Sequence, residues 1–293
     1  MKTAELFEQK TVFSLEVFPP KPDADARVIY QTLEQLSDIQ PDFISVTYGA
    51  GGGKNGSKTI QIASDIQRRY GVESVAHLPC INLTKTQARE ILDRMQDAGI
   101  ENILALRGDC PDACSAAGDF RHASDLIAFI RAHYDFNILA ACYPEVHPES
   151  TGAVDDLKWL KYKVDCGADH LITQLFLDNE YFFDFHEKAR IAGVNVPIEA
   201  GIMPVTNKRQ IERMVKLCGV ALPKKFVRVL EKYEHNETAL RDAGIAYAID
   251  QITDLIAEGV DGIHLYTMNN PYIAHRIFDA VQNLICAKSC VYD

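Results

Sequence analysis

The amino-acid sequence predicts an α/β fold, a single (β/α)8 TIM barrel, and three observations carry the prediction. From residue 12 onward, eight short β-branched or apolar runs alternate with eight longer amphipathic stretches; such alternation makes parallel strands joined by right-handed crossovers. All of these units fit within 293 residues, with no Pro/Ser-rich linker or composition step to divide them, so residues 1–293 are expected to form one domain. No G-x-G-x-x-G or Walker pattern occurs, which speaks against a doubly wound nucleotide-binding sheet.

The elements follow in order. Strands are expected at residues 12–18, 43–47, 74–78, 102–107, 137–142, 170–174, 196–200 and 262–266, each short and rich in β-branched or apolar residues. Helices are expected at 26–36, 59–69, 85–98, 123–132, 154–166, 180–192, 208–217 and 237–258. Thr84 and Asn207 stand as capping residues before two of these helices, and Gly99, Gly167, Gly193 and Gly259 follow the ends of four. The run Gly49-Ala50-Gly51-Gly52-Gly53 is read as a loop after the second strand.

Composition narrows the functional classes. A net charge of −11 argues against nucleic acid or an anionic membrane surface as the main partner, since phosphate binding needs a basic patch. The first eight residues carry acids where a signal peptide would be apolar, and no run approaches the roughly 18 apolar residues of a membrane span, so a cytoplasmic protein is expected. Eight cysteines are then thiols. Two pairs have C-x3-C spacing, Cys110 with Cys114 and Cys286 with Cys290, but no C-x2-C or H-x3-H partner accompanies them, so no metal site is expected.

Side chains alternate along a strand, so each strand splits into two faces. Phe13, Leu15 and Val17 oppose Ser14 and Glu16; Ala76 and Leu78 oppose His77; Leu104 and Leu106 oppose Ala105 and Arg107, with Asp109 beyond. With the aliphatic sets toward the helices, the polar sets face the barrel axis. Glu16, Thr47, His77, Arg107, Asp109, Tyr143, Gln174 and Tyr266 then collect at the C-terminal strand ends, where barrels of this kind carry their active sites. Each such group would cost about 1–3 kcal/mol if buried unsatisfied, so their number points to a polar ligand. Taken singly, Arg107 and Asp109 could simply pair with each other, and His77 could be a hydrogen-bonded filler. Glu16 is different, because it lies in Leu15-Glu16-Val17-Phe18-Pro19-Pro20 with no basic residue before Lys21 to pair with locally. A carboxyl group in apolar company suits a proton donor. Pro144 and Pro148 force extended geometry on Tyr143 and His147, making a stiff loop that carries Glu145 and His147. In the helix that follows, Asp156 and Lys163 are two turns apart on one face and could hold a ribose hydroxyl and a phosphate; a solvated helix face would look the same.

The segments Ser14-Leu15-Glu16-Val17-Phe18-Pro19-Pro20, Ser45-Val46-Thr47-Tyr48-Gly49-Ala50, Ala76-His77-Leu78, Leu104-Ala105-Leu106-Arg107-Gly108-Asp109, Tyr143-Pro144-Glu145-Val146-His147-Pro148, Ile172-Thr173-Gln174, Gly201-Ile202-Met203-Pro204-Val205 and His264-Leu265-Tyr266-Thr267-Met268-Asn269 together resemble bacterial methylenetetrahydrofolate reductases. The resemblance runs in order from about residue 12 to 280. It implies a flavoprotein barrel that binds FAD and reduces 5,10-methylenetetrahydrofolate to 5-methyltetrahydrofolate in one-carbon metabolism, with NADH or NADPH as donor. The implied mechanism is ping-pong, through flavin N5. By the same resemblance Glu16 is the general acid, and Asp109 is the carboxylate between the flavin and the pterin. Thr47, Tyr48, Ala50, His77, Arg107, Gly108, Asp109, Ala123, Tyr143, His147, Asp156 and Lys163 fall at FAD-contact positions. Glu16, Asp109, Gln174, Gln210 and Tyr266 fall at or beside the folate site. A homo-oligomer is implied as well, and some relatives work with an electron-transfer partner protein. Three positions depart from the pattern: Asn270 where relatives commonly carry arginine, Met214 where an aromatic residue is common, and the Cys110/Cys114 pair. Two other readings compete. One is a metal-dependent barrel hydrolase using His77, Asp109, Glu145 and His147; the other is a pterin-binding methyltransferase domain without flavin.

Overall fold

The eight apolar runs pair in parallel and in chain order, and the last returns to the first, so the sheet closes on itself. The computed structural model describes residues 1–20, 24–48, 53–108 and 118–287. The strands are β1 (Val12–Val17), β2 (Phe43–Val46), β3 (Glu73–Pro79), β4 (Asn102–Leu106), β5 (Asn137–Cys142), β6 (His170–Thr173), β7 (Ile198–Ile202) and β8 (Gly262–Tyr266). Around them run α1 (Arg27–Ser37), α2 (Gly53–Asp65, extended by a π-helical turn at Ile66–Tyr70), α3 (Lys85–Asp97), α4 (Ala123–His133) and α5 (Ala153–Asp165). The ring continues with α6 (Asn179–Ile191), α7 (Lys208–Cys218), α8 (Lys224–Tyr233), α9 (Glu237–Ala257) and α10 (Pro271–Ala287). Thr84 caps α3 in a reciprocal capping box with Gln87, and Asn207 accepts from the Arg209 and Gln210 amides at the start of α7. The expected glycine stops take positive φ, from 78° at Gly99 to 119° at Gly167.

Three expectations are corrected. First, α8 and α10 were not among the expected helices, although Phe226 with Leu230, and Ile273, Ile277, Val281 and Ile285, bury apolar stripes at helical spacing. The β7–β8 crossover therefore holds three helices, and α10 lies between α9 and α1 to close the outer ring. Second, β7 begins at Ile198 rather than at residue 196. Pro197 has no amide hydrogen and contributes only its carbonyl, which accepts from the Leu171 amide, so it stands at the strand's edge.

Third, the two faces of β4 are the reverse of those expected. Ile103 and Ala105 pack outward against the helices, whereas Leu104 joins Val12, Phe43, Val75, Leu139 and Ile172 in the barrel interior, with Leu106 against them. Both alternating sets of β4 are aliphatic, so hydrophobicity cannot choose between them. The register does: Leu104 stands opposite His77 on β3 and Leu139 on β5, both inward.

That interior is not wholly apolar. Below the mouth lie Ser14, His170, Glu199 and His264, all fully buried. The Phe7 and Phe43 rings pack on the His170 ring at 4.9 and 6.2 Å between centroids. The 3-10 turn Thr3–Glu8 closes the opposite end, where the Thr3 amide donates to Asn102 and the Thr3 hydroxyl accepts from Asn137, each at 2.9 Å.

Two predictions follow from this packing. Phe43→Ala opens a void in the inner layer and lowers stability by about 3–5 kcal/mol in urea unfolding. Burial pushes the Glu199 carboxyl well above its ordinary value of 4.5, with the nearby Asp42 and Asp261 adding to the rise and the Ser14 hydrogen bond opposing it. The folded state then holds a proton that the unfolded chain releases, so this stabilising contribution is complete below about pH 4.5 and is lost as pH rises toward the raised value. Glu199→Gln removes the dependence, and unfolding measured across pH shows the variant gaining on the parent above that point.

Candidate active site

Glu16 sits one residue before the end of β1, in register with Ser45 on β2 and Tyr266 on β8. Pro19 and Pro20 cannot donate to a ladder, so the chain leaves the sheet directly after it. The turn after β8 holds this rim in place. The Thr267 hydroxyl donates to the Glu16 carbonyl at 2.6 Å, and the Asn269 side-chain amide brackets Phe18, accepting from its N–H at 3.0 Å and donating to its carbonyl at 2.8 Å. Asn269 reaches both through a left-handed turn, with φ of 52° at Met268 and 54° at Asn269.

The Glu16 carboxylate reaches toward two imidazoles that the sequence reading did not place beside it. Its Oε2 lies 3.6 Å from His77 Nε2 and 3.7 Å from His264 Nε2, and the side chain remains 18% exposed at the barrel mouth. Apolar company on its own strand is thus replaced by polar company from β3 and β8. Neither Nε2 has a hydrogen-bond partner among the described residues. Burial pushes the His77 pKa down to about 4 against the pull of Glu16, so this ring is neutral at neutral pH. The signal that could have found His264 was the alternation His264, Tyr266 beside Ser14, Glu16, but only pairing of the first and last strands brings the two together.

Tyr266 and Gln174 stand on the same side. The Tyr266 hydroxyl donates across β7 to the Thr173 carbonyl at 2.7 Å, and Gln174 follows immediately. Gly201 permits that reach, because a Cβ there would lie 2.3 Å from the Thr173 oxygen and 2.8 Å from the Tyr266 hydroxyl. Gln210, in the first turn of α7, points its amide at the Met203 sulfur at 3.9 Å. At the end of β2, the Thr47 carbonyl accepts from the Thr59 hydroxyl at 3.0 Å. Tyr48 packs beneath Gly56 of α2, where any Cβ would collide with its ring.

A second group gathers over β4 and β5. Arg107 grips Glu149 with two nitrogens, at 2.5 and 2.7 Å, and remains partly exposed; Gly108 turns the chain there with φ of 92°. The Tyr143 and His147 rings meet edge to face at 4.5 Å, and the His147 amide donates to Asp156 at 3.3 Å. Burial raises the Asp156 carboxyl and lowers His147. Lys163 turns inward and donates to the Ala141 carbonyl at 2.6 Å, where burial lowers its pKa against the pull of Cys142 and Asp156. Ala123 opens α4 after the His122 cap. Asp109 and Ala50, with Cys110, Cys114 and Cys290, lie outside the described residues.

Of the four residues of the hydrolase reading, Asp109 lies outside the described residues, Glu145 accepts from the Ala221 amide at 2.8 Å, and His147 Nδ1 accepts from the Glu149 amide at 3.1 Å. Among the described residues no three His, Cys, Asp or Glu side chains stand in a metal-binding arrangement. Asn270, in the place where an arginine was expected, accepts from the Ile273 amide at 3.3 Å and so starts α10.

Comparison with known proteins fits this geometry. Residues 2–282 match the methylenetetrahydrofolate reductase family. Over 264 residues the chain is 35% identical to the 5,10-methylenetetrahydrofolate reductase of Pectobacterium carotovorum subsp. carotovorum and 36% identical to that of Escherichia coli K12; each alignment covers 90% of this chain and 88% of the relative. It is 37% identical over 275 residues to methylenetetrahydrofolate reductase (NADH) 1 of Arabidopsis thaliana, covering 89% of this chain and 46% of that longer protein. Among solved structures, a Clostridium thermocellum protein described as binding two copies of 5-methyl-5,6,7,8-tetrahydrofolic acid superposes with a TM-score of 0.68 at 13% identity, covering 98% of this chain and all of the other. A dihydropteroate synthase from Coxiella burnetii superposes at 0.51 and 10% identity, covering 96% of this chain and 94% of the other. These two speak for the barrel alone. The family match and the bacterial relatives, which extend over nearly the whole barrel, show that this chain belongs to the methylenetetrahydrofolate reductase family.

Proposed function

We propose that this protein reduces 5,10-methylenetetrahydrofolate to 5-methyltetrahydrofolate, holding FAD as its resident cofactor and taking electrons from NADH or NADPH in a ping-pong cycle. The observation that carries the reading is the Glu16 carboxylate at the barrel mouth, beside two buried imidazoles whose Nε2 atoms lack partners. The residues present suit FAD. His77 keeps an unsatisfied nitrogen near the mouth, and Gly108 turns the chain there with a positive φ, where a Cβ would press on Pro79 Cβ at 3.0 Å. The rim between β4 and α5 supplies Arg107, Tyr143, His147 and Asp156 for a charged, hydroxyl-rich dinucleotide. When bound, FAD supplies the hydride carrier between nicotinamide and folate.

The residues of the chain do the rest. Glu16 gives a proton to the departing amine nitrogen of the methylene bridge, which leaves the one-carbon unit as an iminium able to accept hydride. His77, neutral at neutral pH, leaves the acid unneutralised by a fixed positive charge. Tyr266, Gln174 and Gln210 bound the folate side of the mouth, and Asp109 is assigned to the pterin and flavin edge. Thr47, Tyr48, Ala50, Ala123 and Lys163 are assigned to the dinucleotide, Lys163 through its support of the β5 carbonyl at Ala141. A homo-oligomer and an electron-transfer partner belong to this proposal as well.

The decisive assay follows the two half-reactions separately under anaerobic conditions. Each nicotinamide is mixed with the oxidised protein and flavin bleaching is followed; methylenetetrahydrofolate is then added and recovery is followed. Glu16→Gln should bleach at close to the parent rate and recover about 10²–10⁴ times more slowly, the range for losing a positioned acid. Equal loss in both steps overturns the role given to Glu16, and a protein that cannot take up FAD overturns the whole reading. Asp109→Asn should raise the flavin potential and weaken folate binding, as read by spectroscopic redox titration and by folate titration; an unchanged potential refutes that role.

A further inference from the structure

Behind Glu16 the barrel contains a line of polar groups that the proposed reaction has not yet used. His264 Nε2 faces Glu16 at 3.7 Å, and His264 Nδ1 lies 2.6 Å from the Ser14 hydroxyl. Ser14 Oγ in turn lies 2.8 Å from Glu199 Oε1, and His170 Nε2 stands 3.9 Å from Glu199 Oε2. Ser14, Glu199, His170 and His264 are all at zero exposure, so the line starts at the half-open Glu16 and ends in the sealed interior. Gly262 makes room for it, because a Cβ there would lie 2.9 Å from Glu199 Cγ. Barrel interiors are ordinarily filled with branched aliphatic side chains, and burying a carboxyl group there is costly without a purpose.

We propose that Glu199, Ser14 and His264 form a proton relay that stores one proton inside the barrel and returns it to Glu16 when bound folate shuts the mouth off from water. The inference rests on the role given to Glu16 above. Two arrangements follow once Glu16 closes the 3.7 Å gap to His264 Nε2, with His264, Ser14 and Glu199 kept at their present hydrogen-bond distances. In the first, protonated Glu16 donates to His264 Nε2, His264 Nδ1–H donates to Ser14 Oγ, and the Ser14 hydroxyl donates to the Glu199 carboxylate. In the second, the Glu199 carboxyl donates to Ser14, the Ser14 hydroxyl donates to His264 Nδ1, and His264 Nε2–H donates to the Glu16 carboxylate. Passing between them breaks and forms one O–H or N–H bond at each station and moves a single proton from one carboxyl to the other. No oxidant or reductant enters. The proton consumed in each turnover comes from water at the open mouth through Glu16, is held by Glu199, and is returned once the substrate covers the site. His170 on β6 faces Glu199 and His264 on β8 reaches it through Ser14, with Asp42 and Asp261 contributing charge from the lower rim, and Phe7 and Phe43 pack on the two imidazoles. Glu199 and Ser14 act through Glu16 and are positioning residues.

The test uses the holoprotein and three variants: Glu199→Gln, which keeps shape and a hydrogen bond; Ser14→Ala, which cuts the line in the middle; and the double variant. Flavin bleaching by the nicotinamide should stay within about twofold of the parent. Recovery with methylenetetrahydrofolate should slow tenfold or more in each single variant, and no further in the double variant, because one relay broken twice is still one relay. Infrared difference spectra of the resting protein, with no substrate present, supply a second readout. A single carboxylic-acid carbonyl band should vanish in Glu199→Gln and shift in Glu16→Gln, since both carboxyls share one proton. Full recovery rates in Glu199→Gln and Ser14→Ala overturn the relay, as do multiplied losses in the double variant or a band indifferent to Glu16→Gln. Parent-like recovery in Glu16→Gln overturns the acid role of Glu16 itself, which separates the two failures.

Discussion

The parallel pairing of β1 with β8 is the constraint on which the rest of this structure depends. It sets Ser14 opposite His264 and Glu16 opposite Tyr266, so side chains 250 residues apart in sequence meet in one layer. A slip of one residue would send Glu16 into the helices and Leu15 into the mouth. The turn after β8 locks that register from outside, with Thr267 holding the Glu16 carbonyl and Asn269 gripping Phe18 on both sides. Closure of the barrel and construction of the site are therefore the same event.

The interior shows what such a site costs. Phe43, Leu104 and Leu139 fill the barrel interior in the usual way, but Glu199, His170 and His264 occupy places where aliphatic residues would pack without penalty. Their compensation is partial. Ser14 serves both His264 and Glu199, while both ring nitrogens of His170 and the His264 Nε2 lack partners among the described residues. Unsatisfied groups of this kind persist where function requires them, and here they stand directly beneath the carboxylate assigned to chemistry.

Much of the architecture was legible along the chain. The eight strands, the caps at Thr84 and Asn207, and the glycine stops could be read because each depends on neighbours within a few residues. The inward set of β1, β3 and β8 was legible too, since polar and apolar residues alternate there. On β4 they do not, and Leu104 shares its layer with His77 only because neighbouring strands are in register. Arg107 follows from that: one position beyond β4, it meets Glu149 over the rim. Lys163 was legible as a charge on a helix face, but its inward turn to the Ala141 carbonyl depends on how α5 packs over β5.

By itself the sequence determined the barrel, the family and the place of Glu16 at the end of β1, because strand and helix periodicity and short ordered motifs are local properties. Only the tertiary structure decided what that acid faces. His77 comes from β3 and His264 from β8, while Glu199, reached through Ser14, comes from β7; no spacing along the chain encodes their meeting. Distances of a few ångströms between residues tens to hundreds of positions apart follow from closing the sheet, with its register, twist and shear, and that closure is a property of all eight strands together.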